Sequence, residues 1–195
     1  LRDIRATARA MHHVLLAHGR AVQALRAQGV GNIGGVFNCE FAEAADDSPE
    51  TARAAETYDA IYNRFFLGGI FHRAYPDPVL AGLGPHLPPR WEQDFNTIAQ
   101  PLDWVGLNYY TRKLISAAPG PWPALPEGHG PLPKTQVRWE IHPEGLHHFL
   151  TMIHRDFAPD LPIYVTENGI ARADAPGPDG HVADPACGRV DENAV

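Results

Sequence analysis

Leu161-Pro162-Ile163-Tyr164-Val165-Thr166-Glu167-Asn168-Gly169 is an apolar, β-branched run that delivers a carboxylate, Glu167, to a sharp turn. By itself this pattern predicts a buried strand of a parallel sheet, because strands covered on both faces read as continuous apolar runs. An ionisable group at the tip of such a strand must be paired or solvated. Strand tips are also where α/β proteins keep their chemistry.

Working back from that strand, helical and extended signals alternate. Pro143 and Glu144 open a helix whose apolar face is Leu146, Phe149, Leu150, Ile153 and Phe157. The segment Ala117 to Lys134 is punctuated by prolines and reads as a long surface loop. Before it, Leu102 to Tyr110 forms a second strand ending in polar and aromatic groups, entered from a short helix marked by Trp91, Phe95 and Ile98. Ser48-Pro49-Glu50 is an N-cap with proline at the first helical position, and Ala55, Tyr58, Ile61, Tyr62, Phe65 and Phe66 repeat behind it with helical period. Ile33 to Asn38 reads as a buried strand with its tip at Asn38, its Gly34-Gly35 pair permitting close backbone approach. A helix over residues 3–28 precedes it, with Met11, Val14, Leu15, Val22 and Leu25 as the apolar face and Gly29 and Gly31 as stop signals.

The order α-β-α-α-β-α-β implies right-handed crossovers and a parallel sheet. Three strands cannot close a (β/α)₈ barrel, which needs eight strands in about 250 residues. Two readings of the pattern are open: a section of a larger barrel, or a small three-layer α/β domain. Composition excludes several function classes. With 195 residues, 44% of them apolar and 20% charged, the chain is an ordinary globular sequence. A formal charge of −7 and 16 scattered Lys and Arg argue against a nucleic-acid partner. Cys39 and Cys187 lack metal-type spacing, so no disulfide framework, zinc site or cofactor is expected and a reducing, cytoplasmic setting is. No run of about 18 apolar residues occurs and the amino end has no apolar signal core, so no membrane association is expected.

Four segments then agree with one family in order. Val165-Thr166-Glu167-Asn168-Gly169 resembles the nucleophile motif of glycoside hydrolase family 1, the β-glucosidase family. Trp104 to Thr111 is similar to its sixth-strand motif, Trp139 to Leu146 to the segment entering its sixth helix, and His12 to Gly19 to the helix after its fourth strand. The resemblance implies a partial (β/α)₈ TIM barrel over residues 1–195, a single domain truncated at both ends, from the fourth helix to the loop after the seventh strand. It also implies a retaining β-glycosidase acting on a small β-glucoside or oligosaccharide, with Glu167 as the nucleophile that forms a covalent glycosyl-enzyme. Tyr110 matches the residue whose phenol hydrogen-bonds that carboxylate, which favours its charged form. Asn108, two residues earlier on the same strand face, and Asn38 would complete a polar rim around the sugar, and Trp139 matches the aromatic platform for the aglycone.

Other residues read as structural. Tyr109 faces away from Tyr110 and belongs to packing. His12, His13 and His18 belong on a helix surface or in the core, Glu140 and Glu144 at a helix entrance, and Trp91, Trp104 and Trp122 as core or loop anchors. Retaining hydrolysis needs a second carboxylic acid. The resemblance implies an Asn-Glu-Pro motif at the fourth strand, and that tripeptide is absent from the sequence. The expected partner is therefore the missing part of the barrel, and the alternative function is a non-catalytic sugar-binding or structural remnant. A 6-phospho-β-glycosidase would need basic residues near an eighth strand.

Overall fold

The computed structural model describes residues 3–172 and 175–181; Cys187 lies outside the described residues. Helix α1 (Ile4–Ala27) begins at the Asp3 N-cap, whose carboxylate accepts from the backbone N–H of Arg5 and Ala6. It ends in a Schellman motif: Val30 N–H donates to Leu25 O, Gly29 N–H to Arg26 O, and Gly29 takes φ +79°. The buried stripe is Ala8, His12, Leu15, Gly19 and Val22, alternating four and three residues apart. Val14 and Leu25, expected in the apolar face, are exposed instead.

Strand β1 (Gly34–Ala44) runs past Asn38, so that residue is mid-strand rather than at the tip. Helix α2 (Pro49–Asp59) starts where the Ser48 hydroxyl accepts from Thr51 N–H. It continues through a π segment (Ala60–Arg64), helix α3 (Phe65–Leu67) and a second π segment (Gly68–His72), and Arg73 in the left-handed region ends it. Helix α4 (Asp77–Leu83) and helix α5 (Phe95–Ile98) follow. Strand β2 (Trp104–Ile115) also outruns its expected end. The proline-rich stretch read as loop contains one short strand, β3 (Glu127–Gly128), antiparallel to the end of β2. Helix α6 (Pro143–Met152), extended by a π segment (Ile153–Phe157), leads to strand β4 (Ile163–Glu167).

β1 and β4 both pair in parallel with β2, giving the order β1-β2-β4. One sheet face is packed: Phe37, Cys39, Val105, Leu107 and Tyr109 are buried against the helices. Tyr109 is a packing residue, its hydroxyl donating to His142 O at 2.8 Å. His12 is fully buried and bonded to Tyr75 Oη at 2.8 Å and Asp94 Oδ2 at 2.9 Å, a satisfied core histidine. On the opposite face Gly34 makes room for an aromatic ring, since a Cβ there would stand 2.1 Å from the Trp104 indole. On that face Val36 and Asn38 of β1 are exposed, whereas Gly106 and Asn108 of β2 are buried. The expectation of a buried β4 is corrected: Tyr164 is 55% and Val165 45% exposed, because β4 has a strand on one side alone among the described residues.

Glu140 is the second correction. It is 3% exposed and sits in a buried ion pair, its Oε2 2.7 Å from Arg112 Nε, with Lys134 Nζ 3.4 Å from Oε1. Burial would raise its carboxyl, but the hydrogen bonds and charges of Arg112 and Lys134 outweigh that and hold it below the ordinary value. The pair clips the turn Thr135 to Trp139 to β2, and Thr135 N–H donates to Trp139 O at 2.8 Å to close it.

Two stability outcomes are expected. A methyl at Gly19 would lie 1.9 Å from Thr97 O, backbone against backbone. Gly19→Ala should therefore cost about 1–3 kcal/mol of unfolding free energy by overpacking, more than the roughly 1 kcal/mol gained in helix propensity, and a lower urea midpoint would register it. Because Glu140 titrates below its ordinary 4.5 when folded, its stabilisation is complete above that pH and lost as the pH falls through the depressed value. Thermal melts from pH 6 down to pH 3 should show a steeper decline for the native chain than for Glu140→Gln. Near neutral pH the variant should lose about 1–3 kcal/mol, the worth of a hydrogen bond to a charged group, because Arg112 keeps its second carboxylate partner, Glu43.

Candidate active site

Glu167 is the last residue of β4, and the Tyr110 hydroxyl donates to its Oε2 at 2.7 Å. That bond pushes the Tyr110 phenol above its ordinary value, so the phenol stays protonated and available as a donor. The strands bring three polar residues into one row, with Asn38 level with Asn108 and Asn108 level with Glu167. A register shift places Glu167 there. Side chains alternate along a strand, so an unbroken ladder would turn Glu167 to the face opposite Thr166. Between Leu107 and Asn108 the partner residue jumps from Val165 to Glu167. One extra residue in β4 thus re-aims the carboxylate towards Tyr110, a known use of bulges.

Two further bonds hold this shift, and neither was assigned a role from the sequence. Thr166 Oγ1 donates to Asn108 Oδ1 at 2.6 Å, and Asn168 Nδ2 donates to Tyr109 O at 2.7 Å. Asn168 was visible as part of the motif. Thr166 stood in the same motif, but in a β-branched run threonine reads as an ordinary strand former.

Trp139 stands on the clipped turn, 42% exposed, its ring centroid 5.4 Å from that of Tyr110 at 52°. The structure therefore joins Glu167, Tyr110, Asn108 and Trp139 through direct or one-residue contacts. Asn38 shares the row by register, but its Nδ2 donates sideways to Tyr62 Oη at 3.1 Å. Tyr62 had read as one apolar position of a helical face, since periodicity cannot show where a phenol points.

Two residues past Asn38, the carboxylate of Glu40 is already engaged. Tyr58 donates to its Oε2 at 2.7 Å and Lys113 Nζ lies 4.0 Å from Oε1. Glu167 has no such cationic partner among the described residues. A phenol-held, otherwise free carboxylate beside amide groups and an exposed aromatic face suits nucleophilic attack on a polyhydroxylated ligand. No group of three or more His, Cys, Asp or Glu poised for a metal occurs among the described residues, nor any helix long and apolar enough to cross a membrane.

The model of glycosyl hydrolase family 1 matches residues 1–190. Beta-glucosidase A of Thermotoga maritima is 37% identical over 186 residues, covering 94% of this chain and 42% of its own length. Beta-glucosidase of an Agrobacterium species is 36% identical over 180 residues, 86% of this chain and 38% of its own. The solved structure of the Thermotoga maritima beta-glucosidase in complex with deoxynojirimycin superposes with a TM-score of 0.87 at 36% identity, over 95% of this chain and 42% of that one. The chain thus spans about two fifths of the length of these relatives, and its mixed α/β architecture matches part of their fold. Match length, identity and superposition agree, and the chain belongs to glycosyl hydrolase family 1.

Proposed function

We propose that this chain carries the nucleophile half of a retaining β-glycosidase site, on the section of a (β/α)₈ barrel from the fourth helix to the loop after the seventh strand. The carrying observation is the 2.7 Å bond from Tyr110 to Glu167 at the end of β4. In this reading Glu167 attacks the anomeric carbon of a β-glucoside and the leaving oxygen departs from the opposite face. The Tyr110 hydroxyl keeps the carboxylate ionised and fixed in one rotamer before attack. Asn108 and Asn38 offer amide groups to sugar hydroxyls, and Trp139 stacks on the aglycone. Support for the substrate class comes from relatives named as beta-glucosidases and from one that binds deoxynojirimycin. A cytoplasmic location belongs to the same proposal and rests on the two widely separated cysteines of the sequence.

In this reading the proton donor for the leaving group is the acid of an Asn-Glu-Pro motif, a tripeptide that this sequence lacks. Loss of a general acid removes about 10²- to 10⁴-fold in rate, and contacts from the rest of the barrel are missing as well. Nitrophenyl β-glucoside hydrolysis by the isolated chain is expected at the background rate, even though this leaving group least needs an acid. Supplying the remaining barrel units should raise it above background. Glu167→Gln should abolish that gain, and Tyr110→Phe should cut it about 10- to 100-fold, the worth of one hydrogen bond to a charged group. Hydrolysis that survives Glu167→Gln, or that fails with a folded, assembled barrel, would leave a carbohydrate-binding remnant as the reading.

A further inference from the structure

A stack of aromatic rings runs from the core to the surface beside α4. Phe65, fully buried, lies 4.0 Å from Tyr75 at an interplanar angle of 14°, and Tyr75 lies 5.2 Å from Trp91 at 18°. Trp91 is the outermost ring of the three and is half-buried. Its other aromatic neighbour, Phe95, meets it at 82°, so no second ring lies parallel to it among the described residues. The middle ring is anchored, with Tyr75 Oη bonded to His12 Nδ1 at 2.8 Å and His12 Nε2 to Asp94 Oδ2 at 2.9 Å. Trp91 thus offers a flat apolar surface on a fixed base, with little motion left to lose on binding.

A groove of about 520 Å³ runs beside this ring, within the size range of small-molecule sites. Trp91, Tyr75 and Phe95 form its aromatic wall, and four polar side chains edge it: Arg73, Asp77, Glu92 and Asn96. All four are exposed, and none makes a side-chain hydrogen bond or ion pair among the described residues. They supply a pure donor in Arg73, pure acceptors in the two carboxylates, and both kinds in the Asn96 amide. Arg73 holds φ +55°, a left-handed backbone that glycine adopts at less cost, so the guanidinium stands there against local strain. No residue lining the groove belongs to a strand or to the turn that bears Trp139.

We propose that this groove is a second carbohydrate site, which holds a neutral oligosaccharide by stacking one sugar ring on Trp91 and bonding its hydroxyls to Arg73, Glu92 and Asn96. The chemistry of the groove selects the class. A sugar ring has an apolar face of C–H bonds edged by hydroxyls that both donate and accept, and the groove has an aromatic face edged by donors and acceptors. An anionic ligand would meet two carboxylates, Asp77 and Glu92, against one guanidinium. A wholly apolar ligand would take water from four polar groups and return no hydrogen bonds. The site shares no residue with the row that ends in Glu167, so the inference goes beyond the catalytic reading and does not depend on it. Its role is to hold a sugar chain without cleaving it.

The test is titration of the full chain, with its four tryptophans labelled with ¹⁵N, by cellotetraose. The Trp91 indole signal should shift and saturate with a dissociation constant on the order of 1 mM, as befits a shallow site built on one ring. Trp139→Ala removes the platform assigned to the aglycone and should leave the Trp91 titration unchanged, so the catalytic reading and this one fail separately. Arg73→Gly relieves the left-handed backbone, so this variant should melt no lower than the native chain yet bind about threefold more weakly. Glu92→Ala combined with Asn96→Ala should weaken binding about tenfold while the other three indole signals stay in place. Absence of a saturable shift at Trp91, an equal titration in the Glu92→Ala, Asn96→Ala variant, or a Lys-rich peptide that shifts Trp91 at lower concentration than cellotetraose would each overturn the inference.

Discussion

Strand β2 holds the molecule's geometry, because β1 and β4 are both registered on it in parallel. Every residue of the site is on β2, on a strand paired to it, or on the turn clipped to it by Arg112 and Glu140. A backbone ladder resists sliding, since a one-residue slip would turn each buried side chain of the packed face outward. The row Asn38, Asn108, Glu167 is thus as rigid as the sheet itself. Sites built on strands keep their spacing better than sites built on loops.

The ladder is broken on both sides of β2, at Leu107–Asn108 towards β4 and at Tyr109–Arg112 towards β1. The β1 register shifts between Cys39 and Phe41, and the β4 register between Leu107 and Asn108. Both shifts adjoin the polar row. They have different consequences: the first fits an extra residue into β2 between Tyr109 and Arg112, while the second fits one into β4 and delivers Glu167 to Tyr110. Thr166 and Asn168 bind the second shift from either side of the carboxylate, so its direction is set by neighbours in the chain as well as by the phenol across the sheet.

One face of the sheet is packed and the other is partly exposed, and the two edges are unlike. At the β4 edge Tyr164 and Val165 present apolar surface on both faces, whereas at β1 an amide side chain closes one position and a groove flanks the rest. Apolar strand edges are liabilities for a chain in water and are usually covered or charged. The chain spans about two fifths of the length of the relatives it matches.

Much of this was legible in the residues. The Asp3 cap, the Ser48-Pro49 start, the glycine stop after α1 and the helical stripe of α6 are local signals, and local hydrogen bonding determines them. The β-branched run ending in Glu167, with the Asn108 and Tyr110 spacing, likewise placed the carboxylate and its phenol on adjoining strands. What the residues alone decided is the order of the main elements, the family and the delivery of a carboxylate, Glu167, to the end of β4, because these follow from short-range pattern and motif. Tertiary structure alone decided that β4 is exposed, that Glu140 is a buried ion-pair partner rather than a helix-entrance charge, and that Asn63 closes the β1 edge. Each of those depends on which groups meet across 20 or more residues of chain, as Asn63 meets Glu40 and Arg112 meets Glu140. Neither periodicity nor propensity carries that information, because both report only what neighbours along the chain can satisfy.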